Sequence, residues 1–393
     1  MDIVGSYLEL GLRVGRHVEG LVDAYFGPAE HAERVQAEAL REPVRLVDDA
    51  GALAAALDSD NALEEGRRHW LAGQVRGLET VARQLAGESI PFADEVGRCY
   101  GVRPSRIPEE SFEAAHRELD GLLPGDGSVA ERYLEWREGS AVGGEELATV
   151  VRALAVELRD RTARLLGLPD GERAEFEFVR DEPWTAYNYY LGNLRSRIAV
   201  NLDTPIPRSF LVELVAHEAY PGHHTEHAWK EQRLVRERSW HEEAILLIGT
   251  PQSLMAEGIA QVAVGVLLGD DEDVVAADHL GRVGVAYDAE LGRRIRQARR
   301  PLEHVVPNAA FLLHEDGYSA DEAREYIIRW GLVSEQRAQQ SVRFVTHPIW
   351  RSYASTYTDG ERLCESFVRG DPARFARLLT EQLTPADLVA ETV

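Results

Sequence analysis

The sequence holds two cysteines, Cys99 and Cys364, too far apart to read as a CxxC metal knuckle or as a disulfide framework. Any metal ion would have to be held by histidine and carboxylate. Positive charge is also scarce: 43 Lys and Arg stand against 67 Asp and Glu, and the net charge of −24 repels phosphate backbones and anionic membrane surfaces. Neither nucleic acid nor membrane is expected as a partner. The opening stretch, MDIVGSYLELGLRVGRHVEG, has an early Asp2 and no apolar core of signal-peptide length, and no later segment is expected to reach membrane-spanning length. A cytoplasmic location is the expectation. There is no P-loop, dinucleotide glycine fingerprint or GxSxG elbow, which leaves kinase, dehydrogenase and serine-hydrolase readings without support.

With 44% apolar and 28% charged residues, the 393-residue chain has the profile of a folded globular protein. From Asp2 to about Leu168 apolar residues recur every three or four positions, as in ELATVVRALAVELRDRTARLLGL, which predicts a set of helices. Breakers at Gly27-Pro28, Glu42-Pro43, Ile107-Pro108 and Leu123-Pro124-Gly125 are expected to stop them. Between about Ala174 and Asp203, AEFEFVRD and SRIAVNLDT alternate apolar and polar residues and predict a small sheet. The aromatic stretch PWTAYNYYLGNL lies between those strands, as a packed corner or a substrate-lining wall. Helical periodicity returns after Pro207. The expected fold is mostly α and multi-helical, with a small β-sheet beside the active-site helix. Residues 1–170 would form an N-terminal helical cap and 171–393 a catalytic half, either as two regions or as one continuous domain.

Four of the thirteen histidines, His217, His223, His224 and His227, fall within eleven residues, in and just after HEAYPGHH. An HExxH zinc helix places two imidazoles one turn apart, with the intervening Glu reaching the metal-bound water. Here Pro221 stands where the second histidine would be. Pro221 also removes a backbone N–H and, with Gly222, favours a bulge, which would carry a later histidine back to the ligand position. A regular helix sets His224 about 10.5 Å along the axis from His217, long for two ligands of one ion. A bulge therefore favours His223, with His224 as a supporting group or the alternative ligand. Glu257, in the otherwise apolar SLMAEGIAQVAVGVLL, is the candidate third ligand, because a carboxylate among Leu254, Ile259 and Val262 is costly unless paired or metal-bound. Its plainer reading is a glutamate complementing the helix dipole after Pro251.

HEAYPGHH followed by AEGIA resembles the signature of the large family known as domain of unknown function 885, whose members carry HExxPGHH and then an EGWA-like segment and resemble zinc metallopeptidases of the Glu-zincin type. RIAVNLDTP is similar to the family's strand before the motif helix, and WRSYASTYTDG, more loosely, to its late Tyr- and Gly-containing segment. The likeness covers about Trp184 to Gly360. Ile259 replaces the usual Trp, and the late segment lacks a Pro-Gly-Gln start. The resemblance implies a metallopeptidase-like fold and a site with one zinc ion, Zn2+. His217, His223 or His224, and Glu257 would hold the ion, and Glu218 would deprotonate its water for attack on a peptide or small amide substrate. Tyr353, Tyr357 and His347 are the candidate donors to the anionic tetrahedral intermediate, against plainer roles as core aromatics and a loop cap. Two other readings are a metal-binding scaffold without turnover and a zinc hydrolase acting on a non-peptide ester, amide or epoxide.

Overall fold

A computed structural model describes residues 2–182, 184–204 and 206–392, so Pro183 and Pro205 of the stretches quoted above lie outside the described residues. The protein is mostly helical, with 67% helix and 8% strand in small sheets. Prolines expected to end helices mostly begin them: Pro43 is the first residue of helix Pro43–Ser59, and Pro28 and Pro108 immediately precede Ala29–Ala37 and Glu109–Leu122. The reason is chemical, since the missing proline N–H would be unpaired in a first turn anyway.

The helices Ile3–Gly15, Pro43–Ser59 and Glu65–Leu85 share a core around Tyr7, Leu46, Trp70 and Leu71. Ile245 and Leu247 from the second half enter the same core, because strand Ile245–Leu247 pairs antiparallel with Val22–Tyr25. A second short ladder joins Ala141–Val142 to Ile206–Pro207. Helix Gly144–Leu165 lays Val151, Leu154 and Leu158 in one core with Leu211 and Val215 of helix Leu211–Glu218, here termed the motif helix. Side chains from both the 1–170 and the 171–393 regions thus pack together.

The expected small sheet has three strands. Arg195–Asn201 is central, parallel to Arg173–Val179 and antiparallel to Ala186–Gly192. The third strand is the aromatic stretch, which the sequence reading placed between strands and not in one. Its alternation is hidden because Asn188 and Tyr190 are the inward pair, so the buried face carries polar atoms. Tyr190 packs with Ala24 and Leu246, and its hydroxyl donates to Glu231.

Helix Pro251–Leu268, the Glu257 helix, corrects the expectation about membrane spans. The run Pro251–Arg282 is long and apolar enough to cross a membrane by length and composition, but 56% of its apolar 18-residue window is buried inside the protein, as in the core helix of a folded domain. Its closest neighbour is helix Ala354–Val368, the tyrosine helix. They approach through two glycines: a Cβ on Gly258 would lie 2.4 Å from the Gly360 carbonyl oxygen, and one on Gly360 would lie 2.6 Å from that of Leu254. The contact sets Tyr353 and Tyr357 over Glu257.

In an exposed helix interior, replacing Gly with Ala stabilises by about 0.5–1 kcal/mol. At Gly258 or Gly360 the added methyl meets backbone, and overpacking of about 1–3 kcal/mol outweighs that gain. We therefore expect Gly360→Ala to lower the melting temperature and Gly121→Ala, whose Cβ meets nothing within 4 Å, to hold or raise it. Equal tolerance in thermal denaturation would contradict the close-approach account.

Candidate metal centre

The motif helix ends at Glu218, and the chain departs from helical geometry at Ala219 before helix His223–Lys230 begins. Across the break the Gly222 N–H donates to the Ala216 carbonyl at 2.8 Å, and Thr225 N–H to the Ala219 carbonyl. The turn is tight enough to require glycine: a Cβ at Gly222 would stand 2.1 Å from the His217 carbonyl oxygen. The Tyr220–Pro221 peptide is cis. This break turns His223 toward His217, whose rings meet edge to face with centroids 4.6 Å apart.

Glu257 completes the group. Its Oε2 lies 3.5 Å from His217 Nε2 and its Oε1 3.9 Å from His223 Nε2, and one donor atom from each residue falls within 4.8 Å of the others. Two ligands about 2.0–2.1 Å from a tetrahedral zinc ion stand about 3.3 Å apart, so modest side-chain rotation brings the three to bonding distance. Glu257 Oε2 is buried with no hydrogen-bond partner among the described residues, and the Tyr353 hydroxyl donates to Oε1 at 2.6 Å. A buried carboxylate oxygen without a partner, facing an imidazole nitrogen, is chemically suited to hold a cation. Burial drives the Glu257 carboxyl up to about 7, against the lowering effect of the Tyr353 bond, and drives His217 down to about 4 and His223 well below its usual value. Both imidazoles are therefore neutral near pH 7, the state that binds metal.

His224 is placed elsewhere and does not join these ligands. It is fully buried, with Nδ1 at 2.9 Å from the Ser196 hydroxyl and Nε2 at 2.8 Å from Glu172 Oε2, which also accepts from Tyr220 at 2.8 Å. Burial alone would raise the Glu172 carboxyl, but the bonds from His224 and Tyr220 and the charge of Arg159 hold it below the ordinary carboxylate range. His224 thus ties the motif turn to the sheet.

Glu218 follows His217 and lines the same cavity, of about 400 Å3, together with His223, Glu257, Tyr353 and Tyr357. A second cavity, of about 890 Å3, shares His217, Glu218 and Tyr357, so His217 and Glu218 stand where two spaces meet, with His223 on the side of the first. Burial first, then the charges of Glu257 and Asp23, push the Glu218 carboxyl up to about 8. Its own carbonyl accepts from Asn188 Nδ2 at 2.6 Å, which pins the end of the motif helix. Tyr357 is exposed to the cleft, whereas the Tyr353 hydroxyl is committed to Glu257. His347 lies on the wall of the second cavity, where its Nδ1 accepts the backbone N–H of Ile349 and Trp350 and caps their loop.

The sequence reading missed several residues of the first cavity. Asp23 and Tyr187 meet there through a hydroxyl-to-carboxylate hydrogen bond, a contact across 164 residues. His223, Glu226, His227 and Lys230 share one face of their helix at i, i+3, i+4 and i+7 and line the cavity together. The overlooked signal is a count: Lys230 is the only lysine in the sequence.

No protein-family model matches the chain, and a search of curated proteins finds no match. Two solved structures are similar in fold. One is described as "the putative lipoprotein from Colwellia psychrerythraea", with a TM-score of 0.55 and 16% identity, covering 88% of this chain and 66% of that one. The other, "a putative lipoprotein of unknown function from Shewanella oneidensis", has a TM-score of 0.50 and 13% identity over 88% of this chain and 72% of that one. This chain spans just under two thirds of the first. At these identities the likeness is one of fold.

The two adjacent histidines separate by substitution. His223→Ala should abolish zinc uptake in the folded protein. His224→Ala should lower the melting temperature, because it leaves the buried Ser196 hydroxyl without a partner and removes one of the bonds to the buried Glu172, while zinc stoichiometry measured by mass spectrometry holds. The reverse pattern would reassign the ligand.

Proposed function

We propose that the protein is a zinc-dependent hydrolase of peptide or small amide substrates, with His217, His223 and Glu257 as ligands of one ion and Glu218 as general base. One observation carries the reading: two neutral imidazoles and a buried carboxylate oxygen without a partner converge beside a second, half-buried carboxylate, at the junction of two cavities. Two His and one Glu make a donor set used by catalytic zinc sites that keep an open position. Bound there, zinc supplies a Lewis acid and a water acidified to near neutrality.

The remaining work falls to the chain. Glu218, next in sequence to a ligand and held by Asn188, takes a proton from the attacking water and returns it to the leaving amine. Tyr353 orients the Glu257 carboxylate by donating to Oε1, as outer hydrogen bonds do for metal ligands. Tyr357, open to the cleft and packed edge to face on Tyr353, is the donor for the developing oxyanion. His347, already used as a loop cap, is a rim residue in this scheme. Substrate spans the two cavities, with the scissile carbonyl near Glu218.

Glu218→Gln should keep one zinc per chain and lower kcat on a peptide library by about a hundredfold or more. Unchanged turnover would remove Glu218 from the mechanism, and absence of zinc from protein offered it would remove the proposal. Zinc affinity should rise with pH through about 7, because Glu257, raised by burial, must lose its proton to bind while His217 stays neutral down to about 4. Calorimetry in buffers of different ionisation heat should show proton release on binding below pH 7. An affinity insensitive to pH between 6 and 8 would contradict the assignment of Glu257 as ligand.

A further inference from the structure

One wall of the metal cavity carries charges that neither the ion nor the general base explains. Glu226 is 1% exposed. Its Oε1 accepts from Lys230 Nζ at 2.6 Å, whereas its Oε2 has no hydrogen-bond partner among the described residues. Glu243 stands close enough behind for its charge to act on Lys230, and its Oε1 is likewise without a partner, Oε2 taking a bond from Gln252. The one ammonium is bonded to Glu226 alone, with a second buried carboxylate near enough for its charge to be felt. A compact lysine head suits that position better than the broad guanidinium used for every other cation of the arginine and lysine class in this chain. The cavity as a whole is also short of positive charge: Asp23, Glu218, Glu226 and Glu257 line it, and Lys230 is its single permanent cation. A cation held by His217, His223 and Glu257 would still leave Glu226 Oε2 unpaired.

Leaving a buried carboxylate oxygen without a donor is unfavourable, and a cationic donor in the cavity relieves it. Resting on the hydrolase reading for the identity of the cavity, we infer that the wall formed by Glu226 and Lys230 is a subsite for a primary ammonium group of the substrate, which donates to Glu226 Oε2. The ammonium comes either from a free amino terminus or from a lysine-like side chain, and both present the same three donors.

Binding to the whole 393-residue chain, freed of zinc by a chelator, tests the subsite without turnover, so its failure is distinct from a failure to take up zinc or to hydrolyse. The probes are leucinamide, which has a free α-ammonium; N-acetyl-lysinamide, which has only the side-chain ammonium; and N-acetyl-leucinamide, which has neither. At least one ammonium probe should bind about tenfold or more tighter than N-acetyl-leucinamide, the range of a charge-assisted hydrogen bond. Preference for leucinamide assigns the group to the amino terminus, and preference for N-acetyl-lysinamide to the side chain. Glu226→Gln should abolish the preference while leaving N-acetyl-leucinamide binding unchanged. Equal binding of all three probes, or a preference that survives in folded Glu226→Gln, overturns the inference. If that variant does not fold, the single lysine provides the second readout: the 15Nζ resonance of Lys230 needs no assignment, and it should shift on saturation with the favoured ammonium probe. An unmoved resonance overturns the proposal in the same way.

Discussion

The candidate centre depends on one backbone closure. Gly222 folds back so that its N–H reaches the Ala216 carbonyl, within a turn that no side chain at that position would fit. Everything downstream follows from the direction this gives the next helix. His223 is rotated to face His217, His224 is buried against the sheet, and Glu226, His227 and Lys230 follow His223 along the cavity wall. In a regular helix His217 and His223 would point apart. The closure lets an interrupted motif present two imidazoles to one point.

The rest of the architecture holds that point from the other side. Glu257 sits on an almost wholly apolar helix, where an isolated carboxylate is unfavourable, and it is positioned by a glycine-to-glycine approach to the tyrosine helix. The approach sets Tyr353 within hydrogen-bond distance of Glu257 Oε1, the oxygen nearer His223, and leaves Oε2 facing His217. Burial then does the electrostatic work. It keeps the imidazoles neutral and raises the two carboxyls, so the site is poised to exchange protons for a cation near neutral pH. The N-terminal region is part of the same construction, since Asp23, within strand Val22–Tyr25, lines the cavity and accepts a bond from Tyr187.

Much of this was legible in the sequence wherever the signal was local. Helical periodicity marked the helices, alternation marked two of the three strands around 174–203, and an HExxPGHH turn with a glutamate in an apolar helix named His217, Glu218, His223 and Glu257. What was hidden was non-local. Whether His223 or His224 faced His217 depended on the backbone path through Gly222, and the partners of His224 came from residues 172 and 196. The third strand was masked because its buried positions are Asn188 and Tyr190 and not aliphatic residues. The prolines marked helix boundaries but not on which side the helix lay. Asp23 and the Glu226–Lys230 wall had no motif, although a single lysine in an arginine-rich chain was a visible clue.

The central claim is the position of the ion, and anomalous diffraction at the zinc edge from crystals of the zinc-loaded protein addresses it most directly. The account predicts one strong peak between His217 Nε2, His223 Nε2 and the Glu257 carboxylate, with His224 still bonded to Glu172. Another grouping of potential ligands, Glu157, Asp278 and His279, lies elsewhere among the described residues. A peak there, or one bonded to His224, or none at the His217 site, would contradict the account.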